Sequence, residues 1–499
     1  MNAPLLIGVD GGTESLRAGV YNLDGDELAS ASAAYATIFP SPGRAEQNPE
    51  AWWRALCAAV PEAMKKAGAR SEDIAAIALD TTCCTVCFLD KEYRPLRPAL
   101  LWMDVRADRQ AAQILETGDA ALRVNNGGGG PVSAEWMIPK SLWVKANQPE
   151  IYDRAETICE YQDYLNFRLT GEMTASVNNT GVRWHFQHGA GGAPASLLER
   201  INASELALKW PQRVIAPGEI VGRLTARAAQ SLQLAPGVPI VQAGADAFIA
   251  MAGMGVIRPG DLALVTGSSH LHLGITDTPL SAKGMWGAYA DILYKGCSVV
   301  EGGQTSTGSV INWFRRTLAG EASYARLDEE ARMAPAGCDG VTAQDHFQGN
   351  RTPHTDAASR GALTGLSLTH TRGHIYRAIL ESVAFGTRLI LDTMAANGVP
   401  IENIVACGGV TRSPVWTQIH ADIIGRPIKL AHAACAPALG SAMFAAIGAG
   451  RYADLSQAAE KMVRFNGAVE PDFAVHESYQ PYFQRYKSAY GALKNIKAS

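Results

Sequence analysis

The sequence predicts an α/β fold of two related halves facing each other across a cleft. Three observations carry that expectation. Short apolar runs that stop at glycine turns alternate with stretches patterned as helices, the signature of a layered α/β architecture. A hairpin built around a glycine- and hydroxyl-bearing turn opens the chain, and a weakly similar one recurs about halfway along it. The length of 499 residues exceeds what one core usually supports. The two domains are expected at residues 1–250 and 251–499.

The first hairpin joins residues 5–9 to 16–21 through Asp10-Gly11-Gly12, with another turn at Asp24-Gly25. Asn48-Pro49-Glu50 then starts a helix, with Asn as the cap and proline at the first helical position. Trp52, Trp53, Leu56 and Val60 share its broad apolar face, and Pro61 predicts a kink. Residues 74–79 read as a buried strand ending at Asp80. The glycine-rich tract 125–130 reads as a surface loop or a mobile lid. The apolar run 238–241 leads through Gly244-Ala245-Asp246 into a helix. The second hairpin joins 262–265 to 271–275 through Thr266-Gly267-Ser268-Ser269. Another strand-to-helix turn, Gly408 to Ser413, precedes a helix through Trp416, Ile419 and Ile423.

A formal net charge of −4 without any Lys/Arg run gives no electrostatic reason to expect nucleic acid or a membrane surface. The first apolar run is too short for a signal-peptide core, and Asp246 interrupts the most hydrophobic later stretch, 238–257. A cytoplasmic enzyme is the expectation. Of nine cysteines, Cys84 and Cys87 have CxxC spacing, but no second pair completes a zinc site. They read as reduced core residues, with Cys83 at a pocket as the alternative.

Several residues could carry chemistry. No GxxxxGK[ST] motif occurs, which excludes a P-loop. The turn from Gly8 to Ser15 suits phosphate differently: Gly11 and Gly12 let backbone N–H groups approach its oxygens, and Thr13 and Ser15 offer hydroxyls. Asp10 could hold Mg²⁺ through water, and Arg17 could neutralise charge on a γ-phosphate. The plainer reading is an ordinary Asp-Gly hairpin turn. Asp246, where a strand meets a helix, could accept the proton of an attacking hydroxyl or simply cap the helix. The Gly408-Gly409 pair could let a flat base lie against the backbone, or only make a tight turn.

Together these pieces resemble the FGGY carbohydrate kinases, in the family's order and over nearly the whole chain. The resemblance implies two ribonuclease-H-like domains of the actin, hexokinase and chaperone ATPase type, with ATP and Mg²⁺ in the cleft. Gly8 to Thr13 with Arg17 is similar to the first phosphate loop and Thr266 to Ser269 to the second, while Gly244 to Asp246 resembles the segment of the general base. Gly349 to Pro353 resembles a Gly-Glu-Arg-x-Pro segment, with Asn350 in place of the Glu. Residues 377–384 match the long helix that follows, and Cys407 to Asp422 with Leu439 to Ala442 match the adenosine side. By position, the resemblance implies Asp246 as base and Asp10 as the Mg²⁺ anchor through water. It puts Gly11, Gly12, Thr13, Ser15, Arg17, Thr266, Gly267 and Ser268 at phosphates. Gly308, Asn312, Gly408, Gly409, Val410 and Ser413 would flank the nucleotide. Thr82, Cys83, Trp102, Asp104, Lys140 and Glu301 would face the sugar.

The substrate reading rests on the same resemblance. Glycerol kinases carry an Arg-Glu pair after the strand that here ends at Asp80, and xylulokinases carry Met-His-Gly nearby. This chain has Thr81-Thr82-Cys83-Cys84-Thr85 there. Ribulokinases have a similar run, a Ser-x-Glu-Trp-Met-x-Pro-Lys segment matched by Ser133 to Lys140, and a Glu-x-Gly-Gln matched by Glu301 to Gln304. Ribulose, D or L, is the expected acceptor, and xylulose or a tetritol or other polyol stays open. A non-catalytic sugar sensor on the same fold is the reading from another class. Exposed helix faces are compatible with a homodimer.

Overall fold

The computed structural model describes residues 3–189 and 191–494, and its frame is two mixed sheets. The first contains β1 (Leu5–Gly11), β2 (Ser15–Tyr21), β3 (Glu27–Ala34), β4 (Ile74–Thr81), β5 (Ile220–Arg223) and β6 (Pro239–Ala245), in the order β5-β6-β4-β1-β2-β3. Here β1 is antiparallel to β2 and parallel to β4, which is parallel to β6. The second contains β7 (Gly260–Thr266), β8 (His270–Thr276), β9 (Gly287–Ala290), β10 (Ser298–Gln304), β11 (Ile401–Gly408), β12 (Ile428–Ala431) and β13 (Phe465–Val469). Its order is β9-β10-β8-β7-β11-β12-β13. Again the leading strand, β7, is antiparallel to its hairpin partner β8 and parallel to β11, and β12 continues the parallel run. The same plan occurs twice, as the repeated hairpin predicts, and it is the ribonuclease-H-like one.

Strand ends differ slightly from the sequence reading. Asp10 and Gly11 stay in β1, because their ladder with Arg17 and Leu16 continues to the tip, leaving only residues 12–14 as the turn. Helix α1 (Pro49–Ala67) starts as expected: Asn48 accepts the Glu50 N–H at 3.0 Å, and Gly68 closes it in the left-handed conformation. It runs through Pro61 and packs Trp52, Leu56 and Val60 on one face of the first sheet.

The opposite face of that sheet is covered by two helices from different parts of the chain. They are α2 (Asp246–Gly253), which follows β6, and α3 (Ala436–Gly448), nearly two hundred residues later. Helix α3 packs across β1, β4 and β6, and crosses α2 closely. A Cβ on Gly440 would stand 2.1 Å from the Ile249 carbonyl oxygen, so only glycine permits the approach. The resulting apolar cluster joins Leu6 and Val241 of the first sheet to Leu273, Ile275 and Val405 of the second.

The tract 125–130 is neither a free loop nor a lid. Asn125 Nδ2 donates to the Trp286 carbonyl at 3.0 Å, and Asn126 Oδ1 accepts the Gly284 N–H at 2.6 Å. These bonds tie the first half to the segment before β9. No helix among the described residues is long and apolar enough to cross a membrane.

Candidate active site

Between the sheets lies a cavity of about 410 Å³, walled by both halves. Its floor follows from strand register. Asp10 and Asp80 are partners on the adjacent parallel strands β1 and β4, and Asp246 follows the end of β6, where Ala245 faces Thr81. Three carboxylates therefore gather at the carboxyl ends of neighbouring parallel strands, the usual place for a site in such sheets, with Asp10 and Asp246 lining the cavity and Asp80 buried beside them. Asp246 is the first residue of α2 rather than its cap, and its Oδ1 accepts the Ala247 N–H at 2.7 Å.

Crowding of buried acids sets their proton affinities. Burial, helped by the Asp10 charge, raises Asp246 to about 7. Asp80, fully buried, is pushed well above the carboxylate range by burial and by Asp10, while Ser441 Oγ–H donates to its Oδ2 at 2.7 Å. Burial also raises Asp10, against the Cys435 thiol 3.3 Å away, Asp80 and Arg17, which favour its charged form.

Two turns flank this floor. In the first, Gly12 N–H bonds Ser15 O at 3.0 Å, and Trp102 Nε1 donates to Thr13 Oγ1 at 3.0 Å. In the second, Gly267 N–H bonds Ser269 O at 2.9 Å, while Ser268 O accepts N–H groups of Thr307 and Ser309. The Thr266 hydroxyl is consumed locally: it donates to Cys407 O at 2.6 Å and accepts Val410 N–H at 3.1 Å. Gly12, Thr13, Thr266, Gly267 and Ser268 line the cavity, whereas Gly11 and Ser15 lie just outside it.

Gly308, Asn312, Gly408, Gly409, Val410 and Ser413 lie beyond the cavity lining, all in the second half. Gly308 N–H donates to Gly267 O and Gly409 N–H to Thr266 O, so both segments are stitched to the second turn. Gly408 has φ +92°, and a Cβ there would sit 1.9 Å from Thr266 O. Asn312 is exposed, Val410 is buried, and the Ser413 hydroxyl is engaged by Asp328 at 2.7 Å as it caps the following helix.

On the other side, Thr82, Cys83, Trp102 and Glu301 line the cavity as expected from the motifs, but three expected side chains point elsewhere. Arg17 turns along the sheet to Glu27 at 2.7 Å and Ser30 at 3.0 Å, reaching no cavity. Asp104 is fully buried, accepting the Ala45 N–H at 2.7 Å and the Arg106 guanidinium. Lys140 is also fully buried, its Nζ donating to Cys84 O at 2.7 Å and to Leu101 O. A buried ammonium needs acceptors, and here the carbonyls of two cavity loops supply them.

Several wall residues had no assigned role in the sequence. Arg183 forks onto both Glu301 oxygens at 3.0 Å, with Tyr289 OH donating to Glu301 Oε2 at 2.8 Å. Trp136 and Trp286 meet edge-on at 6.2 Å, and the Arg351 guanidinium lies 4.6 Å over the Trp286 ring. Trp136 and Arg351 sit inside the recognised segments, which signalled their importance. No motif marked Arg183 or Trp286.

The comparisons agree with this geometry. Residues 5–253 match the model of the FGGY family of carbohydrate kinases, N-terminal domain, and residues 262–449 match its C-terminal domain. The chain is 31% identical to a ribulokinase of Geobacillus thermodenitrificans, over 93% of this chain and 89% of that one. It is 27% identical to a xylulose kinase of Bacillus subtilis, over 99% and 98%. The structure of a xylulose kinase from Rhodospirillum rubrum superimposes with a TM-score of 0.89 at 29% identity, covering 99% of each chain. Two halves with one repeated plan, a cleft floored by carboxylates and two matched domain models make this chain a member of the FGGY family of carbohydrate kinases.

Proposed function

We propose that the chain transfers the γ-phosphoryl group of MgATP to a terminal hydroxyl of a pentulose, ribulose foremost. The observation that carries this reading is Asp246, a cavity-floor carboxylate whose pKa is raised to about 7, between two turns rich in N–H groups and hydroxyls. Ionised, it takes the proton of the sugar hydroxyl as that oxygen attacks phosphorus, and transfer then depends chiefly on positioning and charge neutralisation.

Backbone N–H groups of Thr13 and Ser268, with the Thr13 and Ser268 hydroxyls, cradle the phosphates, while Gly12 and Gly267 shape their turns through their own N–H bonds to Ser15 and Ser269. Thr266 shapes the second turn. The nucleotide lies along Gly308, Asn312, Gly408, Gly409, Val410 and Ser413. Thr82, Cys83, Trp102 and the Glu301–Arg183 pair hold the sugar, with Asp104 and Lys140 bracing the loops behind it. Arg17 acts at one remove, by favouring the charged form of Asp10.

Among the described residues no cluster of three or more side chains could ligate a metal directly, so Mg²⁺ would enter chiefly with the ATP phosphates, beside the cavity-lining carboxylate Asp10. Asp10 would hold it through water, and when bound it offsets phosphate charge.

Ribulose is favoured over xylulose by the segments Ser133 to Lys140 and Glu301 to Gln304, and by identity of 31% to a ribulokinase. Xylulose is the alternative, supported by the similarity to xylulose kinases. A coupled ADP-release assay with MgATP against D- and L-ribulose, D- and L-xylulose, erythritol, ribitol and glycerol tests the reading. Turnover of a ribulose, abolished in Asp246→Asn, is expected. Turnover of glycerol alone would overturn the pentulose assignment, and none on any sugar would favour a sensor.

A further inference from the structure

Cys83 and Cys84 are consecutive, both line the cavity, and their sulfurs stand 3.7 Å apart. All nine cysteines are free thiols. The pair is held in this pose by its backbone. Cys84 has φ +61°, a left-handed conformation that a β-carbon residue adopts only when its surroundings impose it. Its N–H donates to Glu160 Oε2 at 2.9 Å and its carbonyl accepts Lys140 Nζ at 2.7 Å, both from fully buried side chains. Cys83 is half-buried and reachable from the cavity, whereas Cys84 is 4% exposed behind it.

We propose that Cys83 and Cys84 form a dithiol modification site in the wall of the sugar cavity, closed by peroxide to a disulfide that blocks sugar binding and reopened by thiol reductants. In the first step the Cys83 thiolate attacks one peroxide oxygen. The O–O bond breaks, giving Cys83–SOH and hydroxide, which takes the proton released on thiol ionisation and leaves as water. In the second step the Cys84 sulfur attacks the Cys83 sulfur. The S–O bond breaks, and the hydroxyl departs with the Cys84 proton as a second water. The two thiols lose two electrons, and peroxide gains them.

Closing the ring must bring the sulfurs from 3.7 Å to about 2.05 Å. That shift works against the Lys140 and Glu160 anchors. The same loop presents Thr82 and Cys83 to the cavity, so its movement deforms the sugar side. Because the backbone opposes the ring, the disulfide is of the strained, easily reduced kind.

The test uses the full chain and reads each variant against its own untreated activity. After peroxide, the wild type should lose about tenfold or more of its sugar-dependent ADP release, with recovery in dithiothreitol. Its intact mass should fall by two hydrogens, mapped to the peptide containing both cysteines. Saturating sugar should slow the loss. Cys84→Ser should gain oxygen at Cys83 without losing those hydrogens, and Cys57→Ser, a free cysteine away from the cavity, should behave as wild type. Phenylarsine oxide, which condenses with two adjacent thiols and releases water, should add once to the wild type and not to Cys84→Ser. Equal inactivation with the same mass loss in Cys84→Ser, or a disulfide mapped elsewhere, would overturn the proposal. The mass and arsenoxide readings need no sugar, so they stand apart from the pentulose assignment.

Discussion

With a pKa raised to about 7, Asp246 is half ionised near neutral pH. As the base proposed above it would work only ionised, so kcat/KM for the sugar should fall about tenfold per pH unit below that value and level off above it. Asp246→Asn should lower kcat by about 10²- to 10⁴-fold and abolish that pH dependence in ADP-release assays. The same shift has a stability sign. The folded chain keeps this proton up to about pH 7, whereas the unfolded chain releases it near pH 4, so stability drains away between the two and stays low above. Asp246→Asn should therefore raise Tm at about pH 8, with the gain shrinking to nothing near pH 4 in thermal unfolding followed by circular dichroism. The sequence made Asp246 legible because a carboxylate between a strand and a helix is a local pattern. The partnership of Asp10 with Asp80 beside it was not legible, because it depends on the register of β1 against β4, two strands separated by the whole of α1.

At the scale of elements, loops wall the cavity side proposed to take the sugar, and buried charges hold the loops. Lys140, on the helix Met137–Asn147, joins the carbonyls of Cys84 and Leu101, while Glu160, raised by burial to about 7, receives the Cys84 N–H. Lys140→Met should strand two buried carbonyls, at about 1–3 kcal/mol each in denaturant unfolding. It should also raise the KM for sugar while leaving that for ATP near its wild-type value. A charge with no loop to brace would move neither constant. Arg183→Leu should cost about 3–5 kcal/mol, because it leaves Glu301 buried without its fork. The motif around Lys140 was readable as sugar-related, but a side chain's direction is a tertiary property. Spacing could not tell a group facing the cavity from one holding its wall. Arg183 was invisible for the same reason, since its meaning comes from Glu301 on a distant strand.

For the whole molecule, the repeated hairpin disclosed the doubled plan, since each copy keeps its leading strand, turn and returning strand in one short segment. What lay beyond reach was the placement of α3 on the first sheet, a contact spanning most of the chain. The two halves share one apolar cluster, and the tract 125–130 ties them together, so on the proposed reading closure over a sugar would be a hinge between partners already in contact. Such closure would exclude water as a competing acceptor. ATP hydrolysis without sugar should then run at least about a hundredfold slower than sugar phosphorylation in the same coupled assay. A comparable rate would argue for an open, water-filled site.

The position of α3 also bears on how the protein is made. Strands β1, β4 and β6 are complete by residue 245, yet the helix that covers their inner face does not begin until residue 436. At about 5–20 residues per second, a ribosome needs roughly ten to forty seconds to reach it. Throughout that interval the nascent first half has α2 but not α3 on that face, and the apolar side chains of β1, β4 and β6 that α3 will bury stay uncovered.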